Sequence, residues 1–386
     1  MVIMMLDHTR DFTHYASNNL LDPTDPTKTW PLLFFTRWIT HFCAPLFVFL
    51  AGTGAYFQEM RGKSKSDLSK FLLSRGLWLI ALELFVLRPI LMFNFDYAGL
   101  LTFLQVIWAI GWSMIVLSAV IHLPLRVIAI LSVAVIALHN LLDGVQVTNW
   151  QGPGTPVPGF GAGIWHILHV PGVIFPLGAS GPPGLVLYPL IPWIAVMSAG
   201  YAFGSLYRRP EAERKKILYR IGAAVSVGFI VIRAINIYGD PSKWSHQATG
   251  MRTFLSFLNL SKYPPSLLYL MMTIGPALIF LAFFDERRRG AISKIFITYG
   301  RVPLFFYIGQ WITAHTLALI AGKIAGKPTD YLFNNIAFSP PWSPNSGFGI
   351  GMTYILWILG AALLYPLCKW YAGVKARRTD WWLSYL

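Results

Sequence analysis

The chain has 386 residues, of which 55% are hydrophobic, 15% aromatic and 12% charged. A soluble domain carries about 25% charged residues, so composition excludes an ordinary water-soluble enzyme. The 31 Lys and Arg against 16 Asp and Glu leave a net charge of +15, but a nucleic-acid surface is not built on so apolar a background.

A membrane helix needs about 20 mostly apolar residues to cross a hydrocarbon core of roughly 30 Å. Met1 to Leu6 (MVIMML) spans only about 9 Å at helical rise and reads as the outer end of a helix whose beginning is missing. It has neither a basic n-region nor a small-residue cleavage site, which argues against a signal peptide. Nine longer stretches follow: 32–56, 71–93, 99–121, 127–143 (the shortest), 185–206, 217–237, 265–284, 296–322 and 349–370. The expected fold is all-α, a polytopic helical membrane bundle of about ten transmembrane helices with the first one truncated. It forms one domain over 1–386, with no soluble domain and no strong repeat.

Lys and Arg set the orientation. The segments 57–70, 207–220 and 285–295, together with Arg126 and the tail from Lys369, carry 19 of the 31. They alternate with poorly charged, Pro/Gly-rich loops, so the basic side and the C-terminus are expected to be cytoplasmic. Residues 144–184 cluster Gly and Pro around the apolar stretch Gly163 to Phe175. Such a loop is either a re-entrant or interfacial segment packed against protein, or a surface loop with aromatic anchors.

Ionisable residues at membrane depth are costly and therefore informative. Asp7, His8, Arg10, Asp11 and His14 follow the first apolar run, and helical spacing places His8 with Asp11 and Asp7 with Arg10. The next helix adds Arg37 and His41 on one face. An imidazole beside a carboxylate is the usual arrangement for taking a proton from a hydroxyl or amine, with the guanidinium of Arg10 or Arg37 stabilising an oxyanion. The catalytic candidates are thus His8, His14, His41, Asp7, Asp11, Arg10 and Arg37; the bland alternative is a salt-bridge cluster closing the outer mouth.

Arg75, Glu83 and Arg88 on the third span read as structural. Arg233 and Asn236 lead into Tyr238-Gly-Asp240-Pro, and Lys262-Tyr263-Pro-Pro opens the next helix on the same face. At the inner end of a later span, Arg301 with Arg287 and Arg288 could grip phosphate bidentately, although the positive-inside rule and anionic lipid explain them too. The donor-binding candidates are Arg301, Arg287, Arg288, Lys262 and Tyr263. His166 and His169 have a spacing that suits a metal, but without a third ligand no metal is expected. Cys43 and Cys368 lie far apart in apolar runs and suggest no disulfide.

Several blocks carry a resemblance: MVIMMLDHTRDF, THFCAPLFVFLAGTGAY, QVIWAIGWSMI, HNLLDGV, YPLIPWIAVMSAGYAFG, INIYGDPSKW, KYPPSLLYLMMTIGPAL and GRVPLFFYIGQ. They resemble the bacterial DUF1624 membrane proteins, a family similar to the catalytic domain of heparan-alpha-glucosaminide N-acetyltransferase within the broader YeiB-like transmembrane acyltransferases. Where GRVPLFFYIGQ ends, many relatives have His and this chain has Gln310.

The resemblance implies ten or eleven helices. It also implies transfer of an acyl group, acetyl above all, from cytosolic acyl-CoA, the co-substrate, to a sugar or other hydroxyl or amine acceptor at the external face. A histidine near the outer ends of the first two helices would take part. The partners that follow are the lipid bilayer, acyl-CoA, a saccharide or other small acceptor and no nucleic acid, with a homodimer left open, in a bacterial inner membrane. The paired membrane charges leave one alternative, a transporter or flippase for a polar lipid or saccharide.

Overall fold

A computed structural model of the chain describes residues 1–18, 22–97, 101–152, 154–175, 178, 183–284, 290–333, 345–378 and 380–385. The described chain is mostly helical, with seven helices long and apolar enough to cross a membrane: Pro31–Met60, Leu125–Leu142, Leu190–Arg208, Glu211–Ile235, Leu267–Phe284, Pro303–Ile324 and Ile350–Arg377. In chain order we name α1 (Val2–Thr13), α2 (Pro31–Met60), α3 (Lys65–Leu82), α4 (Arg88–Met92), β1 (Thr102–Leu104) and α5 (Val106–Val120). Then come α6 (Leu125–Leu142), α7 (Phe160–Leu168), β2 (Gly172–Ile174), β3 (Gly184–Val186), α8 (Leu190–Arg208) and α9 (Glu211–Ile235). The last are α10 (Gly250–Leu258), α11 (Leu267–Phe284), α12 (Ala291–Arg301), α13 (Pro303–Ile324) and α14 (Ile350–Arg377).

Four expected spans are built differently. The stretch 71–93 runs through α3, a π-helical turn at Glu83–Leu87 and α4. The stretches 99–121 and 185–206 both begin as strands, so the fold is not wholly α. Parallel β1–β3 and antiparallel β2–β3 pairing makes a small three-stranded sheet in the order β1-β3-β2. These segments are short and lie beside Gly and Pro, and sheet pairing satisfies backbone groups that a broken helix would leave exposed in an apolar setting.

The stretch 296–322 is split. α12 ends at Arg301, Val302 leaves the helical region (φ −130°, ψ 57°), and Pro303 starts α13. A residue before proline is driven out of the helical region, and proline at a helix start loses no hydrogen bond.

Close helix approach relies on absent side chains, as is common where bundles pack without water to drive them together. A Cβ on Gly52 would fall on the Met197 carbonyl oxygen, and one on Gly200 on the Phe49 carbonyl oxygen, so α2 and α8 touch backbone to backbone. Thr53 adds a hydrogen bond across the seam, donating to the Gly200 carbonyl at 3.0 Å. Gly76 and Gly111 make the same reciprocal contact between α3 and α5.

α1 is wedged between α13 and α14. Thr13 meets Thr353 at 3.0 Å, Trp357 donates to the Val2 carbonyl at 2.8 Å, and the backbones at Thr13 to Tyr15 pair with Phe348.

Gly200→Ala should force α2 from α8 and lower stability by about 1–3 kcal/mol. Gly54→Ala, where nothing lies within 4 Å of the added methyl, should be neutral. Thermal denaturation of the detergent-solubilised protein distinguishes them, and equal melting temperatures would refute the packing argument.

Candidate active site

The site starts from one carboxylate. Asp7, on α1, is 6% exposed. It receives Arg10 from one turn further along the same helix at 3.0 Å and Arg37 from α2. Arg10 also donates to Asp11 at 2.6 Å, so two carboxylates and two guanidiniums form one connected group. Charges of both signs enter an apolar bundle together because either alone would be costly there.

His8 lies at the edge of this group. Its Nδ1 is 3.8 Å from Asp11, and its ring packs on Trp311 of α13 with centroids 3.7 Å apart. It lines a narrow cavity together with Asp7, Thr40, Lys262 and Tyr307, while Met4, Phe47 and Val106 supply apolar wall. Lys262 arrives from the loop before α11, its ammonium 5.2 Å from the centre of the Tyr263 ring.

That loop is held by Arg233 and Asp240. The buried Arg233 guanidinium donates to the carbonyls of Ser242, Ser256, Phe257 and Asn259, gathering the end of α10. Asp240 accepts from the backbone N–H groups of Ser242 and Ser261 and from the Ser266 hydroxyl. Between them they fix both ends of 259–266, and so place Lys262 and Tyr263. Tyr263 lies beside Lys262 and Tyr188, its ring centroid 5.3 Å from that of Tyr188, and is close enough to Arg37 to feel its charge. Burial pushes its phenol up, but Lys262 and Arg37 outweigh burial and hold it below its ordinary value.

Of the three histidines named from sequence, only His8 lines this cavity. His41 is buried beside Tyr269, whose hydroxyl donates to the His41 carbonyl at 2.8 Å. His14 follows the end of α1, where its Nδ1 accepts from the Ala16 N–H at 3.1 Å and its ring stacks on Tyr15. Burial, reinforced by the Arg10 guanidinium, brings His14 down to about 4.

Among the donor-binding candidates, Lys262 is in the cavity wall and Tyr263 adjoins it. Arg301 is exposed at the break between α12 and α13, two residues before the long apolar helix Pro303–Ile324 begins. It is level with the middle of α14, since its near neighbour Tyr299 donates to the Ala361 carbonyl. Arg287 and Arg288 lie outside the described residues, as does most of the PLGASGPPG stretch.

His166 and His169 do not converge. His166 faces the carbonyls of Val170 and Thr148, and His169 bonds Asp143 at 3.0 Å. Burial alone would raise Asp143, but its bonds from His169 and Asn140 hold it below its usual range. Among the described residues no three His, Cys, Asp or Glu side chains gather as a metal site.

Gln105, Tyr188, Tyr307 and Trp311 were not singled out from sequence. For the first three, a place in the quoted blocks was the only signal, and Trp311 falls one residue past the last block; uncharged side chains in apolar runs look like packing. Gln310, beside Trp311, is fully buried with neither amide atom hydrogen-bonded.

Residues 20–238 match the family described as heparan-alpha-glucosaminide N-acetyltransferase, catalytic. The matched range holds Arg37, His41 and Tyr188 and stops short of Lys262 and Trp311, while α1 with Asp7 and His8 precedes it. No curated protein matches the chain.

Two outcomes follow from this geometry. Asp7→Asn removes the partner shared by two buried guanidiniums and should cost about 3–5 kcal/mol, read by denaturation in detergent; a loss below about 1 kcal/mol, the size of an exposed pair, would contradict it. For His14 the unfolded imidazole titrates near 6.5 and the folded one at about 4. Its contribution is therefore present above 6.5 and lost as pH falls toward 4. His14→Gln should flatten the stability profile between those values relative to the parent, and parallel profiles would exclude the assignment.

Proposed function

Because the chain belongs to the heparan-alpha-glucosaminide N-acetyltransferase catalytic family, we propose that it moves an acetyl group from cytosolic acetyl-CoA to a sugar or other hydroxyl or amine acceptor at the external face. In this reading α1, the helix running from α3 through α4, and α5 join the seven long apolar helices, giving about ten crossings in a bacterial inner membrane with the C-terminus in the cytoplasm.

The observation that carries the reading is His8: an imidazole in the wall of a narrow cavity, backed by Asp11 and set against the Trp311 ring. His8 takes the proton of the acceptor hydroxyl or amine as its oxygen or nitrogen attacks the thioester carbonyl. A C–O or C–N bond forms, the C–S bond breaks, and the proton held on His8 passes to the departing CoA sulfur. Such positioned proton transfer contributes about 10²–10⁴-fold.

Lys262 is the cation in the cavity wall and stabilises the oxyanion. Arg10 and Arg37 act at one remove, since both are engaged by Asp7. Met4, Phe47 and Val106 exclude water and accommodate the apolar part of the donor arm. Arg301, exposed at the helix break, is the cation best placed to meet the donor's phosphates from the cytoplasmic half.

His8→Ala in a protein that still binds CoA should lower acetyl-CoA turnover about 10²–10⁴-fold, whereas His14→Ala should leave turnover near the parent value. Parent-like turnover in His8→Ala would sink the assignment. Stabilisation by saccharide but never by CoA would favour transport.

A further inference from the structure

The loop between α6 and α8 is almost free of ionisable groups. From Gly144 to Leu187 the sequence holds no Asp, Glu, Lys, Arg, Cys or Tyr, and its only titratable side chains are His166 and His169. His166 lies in α7 and His169 just after it, both are fully buried, and both tie the loop together. The two ties differ in the protons they need. His169 bonds Asp143 through Nε2 at 3.0 Å, and its Nδ1 has no hydrogen-bond partner. A neutral imidazole with its one proton on Nε2 makes that bond. His166 instead has an acceptor at each nitrogen: Nδ1 is 3.0 Å from the Val170 carbonyl oxygen, and Nε2 is 3.2 Å from that of Thr148. A carbonyl oxygen has no proton to give, and a neutral imidazole donates from one nitrogen alone, so only the imidazolium makes both bonds. In the neutral form a ring lone pair faces a carbonyl lone pair, and a buried acceptor without a donor is costly.

The His166 ring is fixed by its surroundings. It lies against the start of β2, where a Cβ on Gly172 would fall 2.2 Å from Nδ1. The neighbouring ties are indifferent to pH: Trp165 Nε1 donates to the Val145 carbonyl at 2.8 Å, and the Val173 N–H donates to the Asn149 side chain at 3.0 Å. The elements packed on α7 are β2, which has no titratable residue, and α8, whose first is Tyr201, engaged with Glu59. The ionisable groups that share the region are His169, Asp143 opposite it, and His139, whose ring centroid is 5.8 Å from that of His169.

We propose that His166 is a proton-binding site that works as an acid-operated clasp on this loop. With both nitrogens protonated it holds the segment at Thr148 and the turn at Val170 together. When one proton passes to water, one of the two bonds is lost and the loop loosens. The effect reaches the cavity, because β2 pairs with β3 and β3 with β1, and these last two strands run into Tyr188 and Gln105 of the wall that His8 shares. The pH of the compartment the loop faces thus sets how firmly those strands are held. The clasp goes beyond acetyl transfer and does not depend on it.

The test is hydrogen–deuterium exchange of the full chain in detergent at about pH 5 and about pH 8, the interval in which an imidazole changes charge. Exchange is read in peptides covering 145–150 and 160–175 and corrected for the intrinsic pH dependence of the exchange rate. In the parent, protection should be at least about tenfold greater at the acid end, the size of one hydrogen bond to a charged group. In His166→Gln, which does not titrate, that difference should vanish, whereas His169→Gln should keep it. Equal protection at the two pH values in the parent overturns the proposal whatever the variants do. A difference that survives in His166→Gln, or that is lost in His169→Gln alone, overturns it too. If His166→Gln does not fold, Gly172→Ala takes its place, because the added methyl displaces the ring from its carbonyls while leaving the imidazole in the chain. A parent-like pH difference in Gly172→Ala again overturns the clasp.

Discussion

The shared carboxylate of Asp7 is the constraint on which the rest depends. It lies in a helix that is otherwise apolar at its start, and it is engaged by a guanidinium from its own helix and one from α2. In hydrocarbon this network could not exist in fragments, because each charge separated from its partner would bear most of its desolvation cost. α1 and α2 must therefore meet at that depth and in that register. The register sets His8 between Asp11 and α13, where Trp311 receives its ring. An imidazole is thus held in place by the same charges that join α1 to α2.

A second layer of polar structure supports this one from the loop between α9 and α11. Arg233 binds four carbonyl oxygens at and around the end of α10, a place where a cation complements the helix dipole. Asp240 ties the following loop to the start of α11. Together they deliver Lys262 to the cavity and Tyr263 to Arg37, linking residues more than two hundred positions apart in sequence. The glycine contacts between α2 and α8 work at the opposite extreme. They rest on backbone contact with one hydroxyl, Thr53, bonded across the seam, and they set how closely α2 and α8 pack.

Hydrophobic length and the asymmetry of Lys and Arg made the membrane bundle and most helix positions legible, because both reflect a solvent change that acts on every residue in a segment. The short strands were not legible. Three residues carry no period, and the stretches around Thr102–Leu104 and Gly184–Val186 are apolar enough to extend the helices that follow them. The split at Arg301 was signalled by Pro303, but proline also begins uninterrupted helices, so sequence could not choose.

The sequence by itself determined which ionisable groups enter the membrane, since charge in an apolar run is conspicuous wherever the chain places it. It named Asp7, His8, Arg10, Arg37 and Lys262 and paired those within reach along one helix. It could not rank His8, His14 and His41, which share a residue type and a region. Only tertiary packing decided that His8 faces a cavity while His41 is enclosed beside Tyr269 and His14 follows the C-terminal end of α1. The same packing brought Gln105 and Tyr307 to the cavity wall and Trp311 against the His8 ring. The reason is physical: periodicity fixes which side of a helix a residue occupies, whereas the identity of what lies opposite depends on contacts between segments far apart in the chain.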